Sequence, residues 1–227
     1  MEKKIIIAID GPAGSGKSTT AREVATKLGY IYIDTGAMYR AAALAFKRMD
    51  LDFTDDDFRK LMDSISIKLK QGEDGQKTFL NGEDVSFEIR TPEITKLVSP
   101  VSAHPIVREK LVEIQRQMGN EGGVVMDGRD IGTVVFPNAP LKIYMVATPE
   151  ARAERRTKEL REKNIEADFE KIKNDLIARD KYDSTREHSP LRKADDAVQI
   201  DTSKLSIEQQ TEKVVELALE IIKKLSQ

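Results

Sequence analysis

Gly11-Pro12-Ala13-Gly14-Ser15-Gly16-Lys17-Ser18 has the spacing G-x-x-x-x-G-K-S, and Thr19 follows directly. Residues of these types suit a loop that wraps the phosphates of a nucleotide. Glycines let the backbone curl so that consecutive N–H groups converge on phosphate oxygens. A helix opening at Lys17 adds unsatisfied amide donors and a partial positive charge. Lys17 is the candidate for the β- and γ-phosphates, and the Ser18 hydroxyl for Mg²⁺. A plain Gly-rich turn between strand and helix is the alternative, and eight matched positions in that setting stand against it. Asn174 precedes Asp175 and no Asn-Lys pair occurs, so a guanine-reading N-K-x-D is absent. That weakens a GTP-driven switch.

Three further clusters suit an acceptor of the phosphoryl group. Thr35 and Gly36 follow a short apolar run, and Arg40 lies one helical turn later. An open α/β sheet binds ligands at such a strand end, and a guanidinium can grip a phosphate with two parallel bonds. An isolated Arg early in a helix is otherwise a solvated residue. Val124-Val125-Met126 leads into Asp127-Gly128-Arg129-Asp130. Asp127 is placed to join the Mg²⁺ shell. Arg129 and Asp130 are either a structural ion pair or a donor and a carboxylate that together match a cytosine's ring acceptor and amino group. The third cluster is Arg152, Arg155 and Arg156, which share one helix face. The stretch from Glu150 to Asn164 almost lacks an apolar stripe. It reads as a solvated, salt-bridged helix or as a lid carrying Arg to the transferring phosphoryl. Arg179, Asp183 and Arg186 fall on one stripe if the following helix persists, with an internal salt bridge as the modest alternative.

These residues need strands and helices to place them. Ile5 to Ile9 is a continuous apolar run, as in a strand buried on both faces. Tyr30 to Ile33, Val124 to Met126, Leu141 to Val146 and Ala197 to Ile200 repeat the signal. Ala21, Val24, Ala25 and Leu28 form one helical face ahead of a stop at Gly29. Alternating elements of this kind predict a five-stranded parallel sheet flanked by helices, the core of a P-loop nucleoside-triphosphate hydrolase type fold. Arg40 to Gly123 is much longer than a simple crossover requires. Within it, Ile65, Ile67 and Leu69 alternate with polar residues, Gly72 to Gly75 reads as a turn, and Gln76 to Leu80 returns. Asn81-Gly82 reads as a tight hairpin turn. A small antiparallel sheet is therefore expected as an insert. Ser206 and Gln209 suggest a capping box. Ile207, Val214, Ala218, Ile221 and Leu225 mark the closing segment as a packing helix without chemistry. The expected division is a core over about 1–60, 90–148 and 185–227, an insert over about 61–89 and a lid over about 149–184.

Composition narrows the classes. The 227 residues carry 37 Lys and Arg against 39 Asp and Glu, a net charge of −2, which argues against a non-specific nucleic-acid binder. There is no Cys, so disulfides and thiolate ligands are excluded, and two His cannot supply a His-rich metal site. The N-terminal apolar run is too short to span a membrane and lacks a cleavage site. A cytoplasmic protein with no membrane or nucleic-acid partner is expected.

Taken together the motifs resemble the bacterial-type cytidylate kinases almost end to end. The likeness rests on Ile9-Asp10-Gly11-Pro12 leading into the loop, Asp34-Thr35-Gly36-Ala37-Met38-Tyr39-Arg40, Glu88-Ile89-Arg90-Thr91 and Val107-Arg108-Glu109. It continues through Asp127-Gly128-Arg129-Asp130-Ile131-Gly132-Thr133-Val134-Val135-Phe136-Pro137 and Arg179-Asp180 with Asp183 and Arg186. The resemblance implies transfer of the γ-phosphoryl of ATP to CMP or dCMP with Mg²⁺, giving CDP or dCDP; a monomer is the expected form. It implies Lys17, Arg129, Arg152, Arg155 and Arg156 as the residues that carry the transfer. It implies that Thr35, Arg40, Ser99, Arg108, Arg129, Asp130, Arg179, Asp183 and Arg186 hold the acceptor. Ser99, Arg108 and Asp130 would read the base, Arg40 and Arg129 its phosphate, and Asp183 with Arg179 its sugar. Thr35 stands where some relatives have Ser, which keeps the hydroxyl.

Overall fold

A computed structural model describes residues 4–72, 75–162 and 165–227. Glu73 and Asp74 of the expected turn, and Lys163 and Asn164 at the end of the charged stretch, lie outside the described residues. The chain forms two compact units, Met1–Tyr32 with Glu121–Gln227, and Ile33–Asn120.

The first unit opens with β1 (Ile6–Asp10), α1 (Lys17–Leu28) and the start of β2 (Ile31–Asp34). The second unit carries α2 (Thr35–Arg48), α3 (Asp55–Ser64), β3 (Ile67–Gly72), β4 (Gly75–Leu80), β5 (Glu83–Asp84), α4 (Pro92–Ala103) and α5 (Pro105–Gly119). The chain then returns through β6 (Val124–Gly128), β7 (Leu141–Val146), α6 (Pro149–Glu162), α7 (Phe169–Thr185), β8 (Val198–Asp201) and α8 (Ile207–Leu225).

The large sheet has the order β2-β6-β1-β7-β8. β1 pairs in parallel with β6 and β7, and β7 with β8. Ile7 and Ile9 of the central strand are sealed from solvent, as an apolar run with helices on both faces demands. Ala21 and Val24 of α1 and Val214 and Ala218 of α8 complete this core. Gly29 closes α1 in the left-handed conformation at φ 64°. Both halves of the Ser206–Gln209 capping box are made. Ile207 and Leu225 are exposed, so the buried stripe of α8 is shorter than the spacing predicts. The architecture is α/β, with the strand–loop–helix of a P-loop protein at its centre.

The second unit has its own core, drawn from α2, α3, α4 and α5 and one face of the antiparallel sheet β3-β4-β5. Ala41 through Phe46 are all buried, so α2 is covered all round. Asn81 and Gly82 have φ of 50° and 88°, the paired positive values of a two-residue hairpin turn. Ile65 caps α3, so β3 starts two residues later than the alternation suggests, and the short β5 adds a third strand. Among the described residues no helix is long and apolar enough to cross a membrane.

Candidate functional site

The loop between β1 and α1 is held from outside by its carbonyls. Lys17 Nζ donates to the Pro12 carbonyl at 3.1 Å, Arg152 to the Ala13 carbonyl at 3.1 Å and Arg155 to the Gly14 carbonyl at 3.4 Å. The Thr202 hydroxyl shares its proton between the carbonyls of Ser15, at 2.8 Å, and Val146, at 3.1 Å. With four successive carbonyls engaged this way, an anion falls to the loop's backbone N–H groups and the start of α1. Two glycines are dictated by space. A Cβ on Gly11 would lie 2.2 Å from the Met145 carbonyl oxygen, and one on Gly16 would lie 2.8 Å from Gln210 Oε1, at φ 89°. Gln210 is buried, accepts from the Thr20 hydroxyl at 2.9 Å and donates to the Leu205 carbonyl at 2.9 Å.

Beside Lys17, the Ser18 hydroxyl donates to Asp127 Oδ2 at 2.7 Å. The Tyr32 hydroxyl donates to Asp127 Oδ1 at 2.8 Å and so orients the carboxylate. One hydroxyl, one carboxylate and the oxygens of a bound triphosphate form the hard donor set that Mg²⁺ accepts. These residues fit that ion. Asp127 is at the carboxyl end of β6, where an open α/β sheet concentrates its ligands.

Past β6 the side chains form an ionic cluster within the same unit. Arg129 Nε donates to Asp183 Oδ2 at 3.0 Å, and Arg179 lies 3.9 Å from the same oxygen. Burial, reinforced by the neighbouring Arg129 charge, draws the Arg179 guanidinium down to about 10, still cationic at neutral pH. Arg186 caps α7 and donates through Nε to the Ser189 carbonyl at 2.7 Å. Arg179 and Asp183 share one face of α7, whereas the helix ends at Thr185 before Arg186, so the expected stripe holds for two of its three members, and Asp183 is an internal ion-pair partner that also meets Arg129. Asp130 is buried at the start of a π-helical turn, Ile131–Val135.

The three arginines of α6 have different settings. Arg152 is 4% exposed and pairs with Asp180 at 2.5 Å. Arg155 donates to the Thr202 hydroxyl at 3.2 Å and to the Thr202 carbonyl, and burial lowers its guanidinium. Arg156 pairs with Glu159 at 2.7 Å, the surface i, i+3 geometry. At the start of α6 the Ala151 N–H donates to the Thr148 hydroxyl at 3.2 Å.

In the second unit, Asp34 caps α2 by accepting from the Ala37 N–H at 2.9 Å, and Thr35 is buried at the first helical position. Arg40 donates to the Thr95 hydroxyl at 2.8 Å and to the Ile89 carbonyl at 3.2 Å. Arg108 is buried, donates to the Ser102 carbonyl at 3.1 Å and sits 5.2 Å over the Tyr39 ring. The Ser99 carbonyl accepts from the Ser102 hydroxyl at 3.0 Å. Asp34, Tyr39, Arg40, Ser99 and Arg108 are therefore set by one packed helical layer.

Sequence reasoning missed Tyr32, Asp180, Thr202 and Gln210. Gln210 left a signal, since it is a polar residue on the apolar face of α8 between Ile207 and Val214. The closing helix therefore does more than pack: it buttresses the loop at Gly16 and Thr20.

A family model described as cytidylate kinase matches residues 7–222 of the chain. A cytidylate kinase of Bacillus anthracis is 49% identical over 225 residues, covering 99% of this chain and 100% of that one. A cytidylate kinase of Chloroherpeton thalassium is 52% identical over 233 residues, covering 99% and 97%. Among solved structures, an uncharacterized protein from Eubacterium ventriosum ATCC 27560 has a TM-score of 0.52 at 13% identity, covering 96% of this chain and 99% of that one, a likeness of fold alone.

Proposed function

We infer that this chain, which belongs to the cytidylate kinase family, transfers the γ-phosphoryl group of ATP to CMP or dCMP and releases ADP and CDP or dCDP. The observation that carries the reading is the Gly11–Ser18 loop with its Ser18–Asp127 pair, set in a chain alike to named cytidylate kinases over almost its whole length. An oxygen of the acceptor's phosphate attacks the γ-phosphorus, and the bond to the β,γ-bridging oxygen breaks. Little covalent help is needed, so the protein's work is positioning and charge neutralisation.

Lys17 would leave the Pro12 carbonyl for the β- and γ-phosphate oxygens. Arg152, Arg155 and Arg156 would neutralise charge on the transferring group. Arg129 would hold the acceptor's phosphate, with Asp183 and Arg179 at its sugar, Asp130 at the base, and Arg186 supporting the cluster. In the second unit, Arg40 would grip phosphate, Ser99 and Arg108 would read the base, and Thr35 would offer its hydroxyl. Ser18 and Asp127 would hold Mg²⁺, which draws charge from the phosphates when bound. The α6–α7 pair, about 149–184, would act as the lid, about 61–89 as the insert, and about 1–60, 90–148 and 185–227 as the core. A cytoplasmic monomer is the matching form, to be checked by size-exclusion chromatography.

The test is an ADP-release assay over CMP, dCMP, UMP, AMP and GMP. We expect CMP and dCMP to be preferred, and preference for any other acceptor would overturn the specificity.

A further inference from the structure

Asp10 ends β1, one residue before the loop, and is 5% exposed. Its oxygens each accept one backbone N–H, Oδ1 from Ile131 at 2.8 Å and Oδ2 from Gly132 at 2.7 Å. These are the first two amides of the π-helical turn Ile131–Val135, whose own preceding residue supplies no side-chain cap. The carbonyl of Asp130 accepts from Val134 at 2.8 Å and Val135 at 3.2 Å. The turn is thus pinned at its start by Asp10 and closed on the backbone of Asp130. Arg129 and Asp130 join the end of β6 to this turn, so the turn fixes one side of the pair.

Only a carboxylate meets both amides. An Asn there offers one oxygen and turns an NH₂ donor against the second N–H. A Cβ on Gly132 would lie 3.1 Å from Lys142 Cδ and 3.4 Å from Asp10 Oδ2. Burial, opposed by the two N–H bonds and the Lys17 charge and reinforced by Asp130, pushes the Asp10 carboxyl up to about 7. The Lys142 ammonium is taken by Asp196 at 2.8 Å. A buried carboxyl whose two oxygens both bond to amides of another segment points to a demand on geometry.

We propose that Asp10 is a positioning residue for acceptor recognition, its carboxylate fixing the turn that presents Arg129 and Asp130 to the nucleoside monophosphate. This rests on the kinase reading above. It goes beyond that reading by tying the strand that feeds the ATP loop to the reading of the other substrate.

Steady-state kinetics of Asp10→Asn, Asp130→Asn and the double variant test it, with folding checked by circular dichroism. Loss of one bond to a charged group predicts a rise in the KM for CMP of roughly tenfold or more, with the KM for ATP within about twofold. If Asp10 acts through the turn, its substitution should cost less in the Asp130→Asn background than in the wild type, because only the Arg129 share remains. Equal rises in both KM values, or full additivity, would overturn the proposal. If D10N does not fold, Asp10→Glu lengthens the side chain, displaces its oxygens from the two amides and is scored by the same split. Amide hydrogen exchange needs no substrate: lost protection at Ile131 and Gly132 in the variant supports the cap, and unchanged protection overturns it. A wild-type chain that leaves CMP untouched would instead refute the kinase reading, before any variant is made.

Discussion

The phosphate loop and the arginine-bearing helix α6 both bring cations to the same short run of backbone, by opposite means. Lys17 reaches the Pro12 carbonyl five residues back along the chain. Arg152 and Arg155 reach the adjacent carbonyls of Ala13 and Gly14 across 139 and 141 residues. The loop's cation belongs to the motif that needs it, whereas the helix's cations are set by tertiary packing and have other partners, Asp180 and Thr202. A local contact is rebuilt each time the motif folds. A long-range one holds only while α6 is packed against the loop.

The sharpest break in this comparison is Lys17→Ala. It removes the loop's own charge and leaves the arginines in place. We expect kcat to fall by about 10³ or more, the scale of a lost cation at a transferring phosphoryl group. Single-turnover ADP release measures it. A fall under about tenfold would mean that the arginines alone carry the charge.

Arg152→Ala breaks the other side and should come next, at roughly 10² in kcat. It should also lower Tm, because Asp180 loses its ion-pair partner inside a mostly buried setting. Arg152→Lys should recover part of the stability and little of the rate, since an ammonium lacks the planar fork that can serve a carbonyl and a carboxylate together. Equal recovery of both would make Arg152 a structural residue.

The same division explains what was legible beforehand. The Gly11–Ser18 loop, the Gly29 stop, the Asn81-Gly82 hairpin and the Ser206–Gln209 box are all written within a few residues, and each stands as the spacing predicts. β1, β6 and β7 were visible because apolar runs buried on both faces need no partner to be recognised, whereas the edge strands β2 and β8 expose Ile31 and Val198 and showed only as short apolar runs between helical patterns. Gln210, Thr202 and Asp180 were not visible, because each is a polar residue whose meaning lies in a distant backbone atom or side chain. Asp10 is the extreme case: it sits inside a quoted motif, yet its two bonds are to amides more than a hundred residues away. Arg129 could be marked as a candidate from its position at a strand end, while its pairing with Asp183 required the α7 helix to be in place.

A pH series sharpens the comparison on the loop side. The carboxyl of Asp10 stands at about 7 in the fold against an ordinary 3.8. Between those values the folded protein holds a proton that the unfolded chain has released. Its contribution to stability is therefore full below about 3.8 and is lost as pH rises through about 7. The Tm of the wild type should decline over that window relative to Asp10→Asn, which has no such proton. A flat difference between the two melting series would place Asp10 in an exposed setting.

The smallest expected effect belongs to Gln210→Ala, and it asks how far the loop depends on anything beyond its motif. Gln210 Oε1 takes the proton of the buried Thr20 hydroxyl, and the same oxygen lies where a side chain on Gly16 would fall. Truncation leaves that hydroxyl without its acceptor, a loss of about 1–3 kcal/mol in a buried setting. It also removes the wall behind Gly16, so the loop gains freedom on the side of α8. Thermal melting should register the first effect, and a rise of roughly threefold in the KM for ATP at unchanged KM for CMP should register the second. If stability falls and the KM for ATP does not, the motif and its outward carbonyl bonds hold the loop unaided, and the C-terminal helix serves the fold alone.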